Sequence, residues 1–235
     1  MYKGFAYIYD ELMYDLDYEG FAEFIKEKLN GKESVLDMGC GTGTMMKLLE
    51  DDFEIDGFDL SPDMLAMARN KVKGNLYCLD MRNFDMHKSY DAIISSGDSL
   101  SYILDTEELK DIFKNVANNL NEGGIFIFDL NTFYKFQNME EVYIDETENV
   151  FYIWENFFDE EERLNYYDIN FFVKEENGTY RRFIENHVEC AHDIKTVKNY
   201  LEECGFRVEL YNNYSDEGGI DTAKRVTFVC YGENL

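Results

Sequence analysis

From Ser34 to Asp129, short apolar runs alternate with amphipathic segments. Ser34–Met38 (SVLDM), Glu54–Phe58, Leu76–Leu79, Tyr90–Ser95 and Ile125–Asp129 each predict a strand. Thr44–Leu49 and the stretch opening at Ser61-Pro62-Asp63 predict helices, the second with Ser at the cap, Pro in the first position and an acid in the first turn. Leu109, Ile112, Phe113, Val116 and Leu120 share one face of a further helix that Thr106-Glu107-Glu108 would cap. Asn121 to Gly124 reads as a turn. Strands that alternate with helices imply right-handed βαβ units and a mainly parallel sheet.

On either side of this region the pattern differs. Residues 1–30 read as helical, with Phe21, Ile25 and Leu29 four apart and Asn30-Gly31 as the stop. Residues 139–192 carry few helix signals and many aromatics. Asn149–Phe158, Leu164–Val173 and Thr179–Cys190 predict three antiparallel strands, joined by polar turns. A helix over Asp193–Cys204 and strands over Phe206–Tyr211 and Arg225–Tyr231 complete the chain. The expected architecture is one α/β domain with a doubly wound, seven-stranded, mostly parallel sheet and one reversed strand near the C-terminus. Residues 33–130 and 193–235 would form its core. Residues 1–32 would be a helical lid and 139–192 an inserted antiparallel β lid.

Composition narrows the function. The 235 residues include 49 acidic and 22 basic side chains, a net charge of −27. Phosphate backbones are bound mainly by Lys and Arg, so a long nucleic acid is not an expected partner. The five cysteines are widely spaced, without a CxxC pair, which argues for a reducing compartment and against a zinc ribbon or any other metal site. No run of 18 apolar residues exists and the first residues have no leader-like apolar stretch, so neither a membrane span nor a secretory signal is expected, and the chain is placed in the cytoplasm.

The strongest local motif is Val35–Gly43, VLDMGCGTG, in which a strand runs into three alternating glycines and then a helix. Glycine permits a sharp turn and close approach of bare backbone to a ligand. The dinucleotide pattern G-x-G-x-x-G fails, because Thr44 or Met46 stands at its last position, and no Gly-Lys-Ser/Thr follows for a phosphate loop. Asp59 lies 20 residues beyond Gly39, at the end of the second strand, where a carboxylate can accept from two ribose hydroxyls. Asp80 ends the third strand and Ser95-Ser96-Gly97-Asp98 the fourth. All of these stand at the carboxyl edge of the sheet, where open α/β folds bind ligands.

With VLDMGCGTG, GFDLSPDML, CLDMR and NEGGIFIFDLNT in place, the chain resembles the class I S-adenosylmethionine-dependent methyltransferases over about residues 33–130. FAYIYDELM and RFIENHVE further resemble small-molecule members, including sugar-amine N-methyltransferases. The resemblance implies S-adenosyl-L-methionine as cofactor. Gly39, Gly41 and Gly43 would wrap its methionine part, and Asp59 would hold the ribose. Leu60, Met64, Asp80 and Met81 would lie about the adenine, and Ser96 near the amino-acid end. Asp37 would brace the loop. The expected reaction is methyl transfer to nitrogen or oxygen of a small molecule. A cofactor-binding regulator, an RNA or protein methyltransferase and an NAD-dependent enzyme are the alternatives.

Candidates for the acceptor side are fewer. The three histidines are His87 in a loop, His192 ahead of a helix, and His187 in a strand. Alternation places Glu185, His187 and Glu189 on one face, which is either solvent-exposed or turned to substrate. The resemblance favours a substrate-facing His187, a Tyr9 that closes over the cofactor or packs in the core, and an Asp98 near the methyl group. Trp154 sits among Phe151, Tyr152, Phe157 and Phe158, as core, as a homodimer surface, or as a cage for a cationic amine.

Overall fold

The computed structural model describes residues 4–233. Its main sheet has seven strands in the order β10-β11-β5-β4-β1-β2-β3. These are β1 (Ser34–Met38), β2 (Glu54–Asp59), β3 (Leu76–Cys78), β4 (Tyr90–Ser95), β5 (Leu120–Asn131), β10 (Arg207–Asn212) and β11 (Arg225–Tyr231). All neighbours are parallel except β11, which runs antiparallel to both β5 and β10. The chain leaves β1 toward β2 and β3, then returns to lay β4 on the other flank of β1. That reversal opens a crevice beyond the carboxyl ends of β1 and β4.

The central strands are buried on both faces, which is why they read as unbroken apolar runs. On one face pack α5 (Thr106–Asn118) and α7 (Ile194–Glu203), whose Phe113, Val116, Val197 and Leu201 join Phe126, Phe128 and Phe228. On the other, α2 (Tyr18–Lys28) and α3 (Thr44–Leu49) bring Phe21, Ile25 and Met46 against Val35, Ile94 and Ile127. Phe126, Phe128 and Phe228 stack in sequence at centroid distances of 4.7 and 4.5 Å.

The second sheet is antiparallel, in the order β6-β7-β8-β9: Val142–Glu146, Val150–Asp159, Leu164–Lys174 and Tyr180–Cys190. Its inner face meets α1 (Phe5–Leu12), α4 (Pro62–Ala68) and α6 (Phe133–Gln137) in a third cluster that includes Phe5, Ile8, Met64, Phe136, Tyr152, Tyr167 and Phe171.

Several expectations are corrected. Residues 4–30 hold two helices, α1 and α2, because Asp17 caps a new start by accepting from the Gly20 amide at 2.9 Å; residues 1–3 of the expected helical lid lie outside the described residues. The insertion has four strands; β6 was illegible because it is an edge strand with hardly a buried side chain. Asn121 to Gly124 lie within β5, where the pairing with β4 shifts register after Tyr90. The α5 cap is Asp105, which accepts from the Glu107 amide, not Thr106.

Candidate active site

The glycine loop turns immediately beyond β1. The Gly39 and Cys40 amides both donate to the Phe58 carbonyl, at 2.8 and 2.9 Å, so the loop folds back over β2. Gly39, Gly41 and Gly43 all have positive φ, at 78°, 53° and 78°. Side chains rarely adopt that conformation, and glycine adopts it without strain. A Cβ on Gly41 would meet nothing within 4 Å, and the same holds at Gly97 (φ 76°) across the crevice. Both residues thus present uncovered main chain.

Asp59 bridges the loop and its own strand end. Its Oδ2 accepts from the Gly41 amide at 2.9 Å and its Oδ1 from the Ser61 amide at 2.8 Å. Burial raises its pKa against the opposing pull of those amides. Asp37, buried beneath the loop, is pushed up to about 8 by burial and by the neighbouring Asp59. Asp80 is clamped by Arg82, whose Nε and Nη2 donate to it at 3.0 and 2.8 Å, and its pKa is lowered. Leu60 is exposed, Met81 packs partly buried on the sheet, and Met64 lies in the lid cluster. Ser96 accepts from the Ser99 hydroxyl through its carbonyl at 3.4 Å.

Two cavities meet here. One of about 40 Å³ lies over Asp37, Gly39, Gly41 and Thr42 and reaches Ser96 and Gly97. The other, about 310 Å³, lies under the antiparallel sheet and is walled by Tyr102, Tyr152, Trp154, Tyr167, His187 and Glu189. Tyr9 and Gly97 line both. The Tyr9 hydroxyl lies against that of Tyr18, and burial above all holds its pKa far up. The neighbouring Asp10 accepts from Thr42 at 2.6 Å and Thr44 at 3.2 Å and pairs with Lys71, fastening α1 to the glycine loop.

Glu185, His187 and Glu189 are all buried, so the solvent-exposed alternative for that face is excluded. His187 lies 5.5 Å from the Phe5 ring and 5.9 Å from Tyr102, centroid to centroid. Burial lowers its pKa, which leaves a neutral imidazole at neutral pH. His87 is exposed in its loop, and His192 is fully buried against Thr106, pushed down to about 4.

Asp98 faces the larger cavity but is tightly engaged. Its Oδ2 accepts from Arg225 Nη2 at 2.7 Å and from Asn131 Nδ2 at 3.0 Å. Both bonds fall on one oxygen, and they tie the loop after β4 to β5 and β11. Behind it, Asp129 accepts from the Gly97 and Asp98 amides, from Arg225 Nη1 at 3.1 Å and from the Tyr214 hydroxyl. Sequence reasoning missed Asp129, Arg225 and Lys135 as site residues. The one available clue was a charged residue at the head of the apolar strand RVTFVCY.

The chain is similar to known methyltransferases. Residues 35–124 match a family described as a methyltransferase domain. A protein of Geobacillus sp. (strain WCH70), provisionally named a methyltransferase, is 31% identical over 97% of this chain and 98% of its own length. The crystal structure of an S-adenosylmethionine-dependent methyltransferase from Clostridium acetobutylicum ATCC 824 aligns over 98% of both chains, with a TM-score of 0.88 and 35% identity. A Streptomyces venezuelae enzyme named dTDP-3-amino-3,4,6-trideoxy-alpha-D-glucopyranose N,N-dimethyltransferase is 31% identical over 50% of this chain and 55% of its own.

Proposed function

We propose that this chain, which belongs to the S-adenosylmethionine-dependent methyltransferases, moves the methyl group onto a nitrogen or oxygen of a small molecule held in the 310 Å³ cavity. The observation that carries this reading is the junction of the two cavities at Tyr9 and Gly97. It joins an open-backbone cradle to an aromatic chamber closed off by the second sheet.

The residues present fit the cofactor. Gly41 and Gly97 leave room where a side chain would intrude, and Asp59 is fixed beside them. Gly39, Gly41, Gly43 and Ser96 would hold the amino-acid part and Asp59 the ribose. Leu60, Asp80 and Met81 would face the base, with Met64 contributing from beneath. S-adenosylmethionine supplies an electrophilic methyl carbon on a positively charged sulfur. The protein's part is to bring the acceptor in line at about 3–3.5 Å and to keep water out. Tyr9 would close the junction, and the neutral His187 would face the acceptor and orient it.

The division of labour follows the sheets. Residues 33–130 and 193–235 would carry the cofactor, while 139–192 and the N-terminal helices would enclose the acceptor. The net charge of −27 supports a small acceptor over nucleic acid. Phe157, Tyr166 and Ile184 stand exposed on the sheet face turned from the cavity, which supports a homodimer through that face. All five cysteines are free, in keeping with a cytoplasmic setting. Among the described residues no helix is long and apolar enough to cross a membrane.

Calorimetry and label transfer test the proposal. Binding of S-adenosylmethionine, and passage of its labelled methyl into the small-molecule fraction of a metabolite extract, are the expected results. Failure to bind at millimolar ligand, or label found only in RNA or protein, would defeat it.

A further inference from the structure

We infer that the acceptor is a cationic amine carrying no phosphate, and that Glu189 is the carboxylate that meets its nitrogen and takes the proton it must lose. This rests on the reading of the 310 Å³ cavity as the acceptor chamber.

The chamber's charges are unevenly committed. Among the described residues that line it, only Lys135 and Arg225 are cationic, against Asp15, Asp98 and Glu189. Arg225 is fully occupied by Asp98 and Asp129, at 2.7 and 3.1 Å. Lys135 Nζ donates to Asn131 Oδ1 at 2.9 Å and sits in the field of Asp98, Glu189 and Asp129. A phosphate brings nearly two negative charges and is held by free Arg or Lys or by open backbone amides. Here it would meet a carboxylate at the mouth and two at the floor, with Arg225 already ion-paired and Lys135 held by Asn131 among three carboxylates.

Glu189 differs from the other carboxylates. It is 4% exposed, accepts from Asn131 Nδ2 at 2.7 Å, and forms no ion pair with a described residue. A buried carboxylate without a cation is costly, and an ammonium that arrives with the ligand would relieve that cost. The walls suit the same guest, since the faces of Tyr102, Trp154 and Tyr167 attract positive charge. The groups facing Glu189 are Asn131 from β5, Lys135 from α6, Asp98 from the loop after β4, Arg225 from β11 and Tyr167 from β8, with His187 on its own strand. Burial first, then Asp98, pushes the Glu189 carboxyl up to about 8, near the range in which it can exchange a proton with an amine.

The step balances simply. One N–H bond of the ammonium breaks, its electron pair stays on nitrogen, and the proton forms an O–H bond on Glu189. The freed pair then makes the new N–C bond as the methyl carbon's bond to sulfur breaks, with those electrons remaining on sulfur. Glu189 later returns its proton to solvent.

Trp154, the only tryptophan in the chain, lines the chamber and reports its occupancy. Its fluorescence would be followed in protein saturated with S-adenosylhomocysteine, titrated with benzyltrimethylammonium or with phenyl phosphate. The fixed charge of the first probe removes its own titration. The cation should bind at least tenfold more tightly than the phosphate, and its affinity should rise severalfold between pH 7 and 9. Glu189→Gln should lower cation affinity about tenfold and abolish that rise, with S-adenosylhomocysteine affinity unchanged by calorimetry. Should that variant not fold, Glu189→Asp should weaken cation binding and keep the pH dependence. Equal or tighter phosphate binding, no response to either probe, or unchanged cation binding in the variants overturns the inference and leaves the methyltransferase reading standing. Loss of S-adenosylhomocysteine binding by the unaltered protein would instead bring down the reading beneath it.

Discussion

Asp59 Oδ2 accepts a hydrogen bond from the Gly41 amide at 2.9 Å, across 18 residues of sequence. One carboxylate therefore sets the shape of the loop, and in the proposed reading it would also hold the ribose. A charge-assisted hydrogen bond is worth about 1.5–3 kcal/mol, or roughly 10- to 150-fold in affinity. Asp59→Asn keeps the volume but only one acceptor oxygen, so its NH2 would face either the Gly41 or the Ser61 amide. Calorimetry should show cofactor affinity falling by at least that factor, and the melting temperature should fall with it.

Two glycines should respond in opposite ways to alanine. At Gly41 a methyl group meets open space, so the fold bears only the left-handed backbone strain, about 1–2 kcal/mol. The new methyl would occupy the cradle, and cofactor affinity should drop at least tenfold. At Gly74 a Cβ would lie 1.9 Å from the Ile55 carbonyl oxygen, a rigid backbone atom. Gly74→Ala should unfold at markedly lower temperature, since overpacking costs about 1–3 kcal/mol or more. Thermal melts beside binding isotherms separate the two.

Arg225 joins Asp98 and Asp129 inside the protein, 9% exposed. Its truncation to alanine leaves the buried Asp129 and the half-buried Asp98 without their cation. Removing one partner of a buried pair costs about 3–5 kcal/mol, which for a chain of this size is on the order of 10 °C in melting temperature. Calorimetric scans would check it.

Asp37 and Glu189 are both raised to about 8, mainly by burial. Folded protein keeps protons that the unfolded chain has released above its ordinary carboxyl pKa. The stability they contribute is present below about pH 4 and is lost as pH rises through 8. His187 and His192, lowered by burial, act only below about pH 6.5. Between pH 7 and 8.5 the ligand-free protein should therefore lose melting temperature, and Asp37→Asn should flatten that decline.

Asp10 fastens α1 to Thr42, Thr44 and Lys71. The ion pair is partly exposed, so its worth is modest, about 0–1 kcal/mol. Asp10→Ala should speed cofactor release in stopped-flow measurements by less than tenfold, and added salt should narrow the difference from the parent protein.

Much of this was written in local pattern. Buried strands must be apolar along their length, loops that approach a ligand must be glycine, and β1, α3, β4 and β11 were legible for those reasons. Asp59 could be placed because a strand's end fixes where its last side chain stands. What the pattern could not hold was the outcome of long-range pairing. Whether Glu185, His187 and Glu189 meet water or a cavity depends on which layer covers that face, and only α1 and the second sheet decide it. That Asp98 sits after β4 could be read, but its ion pair depends on β11, which brings Arg225, 127 residues further along, against it. The uncommitted state of Glu189 likewise depends on which of its neighbours found partners elsewhere. Charges act through space and periodicity acts along the chain, so the amino-acid order determined the cradle, and the packing of distant elements decided the chemistry beside it.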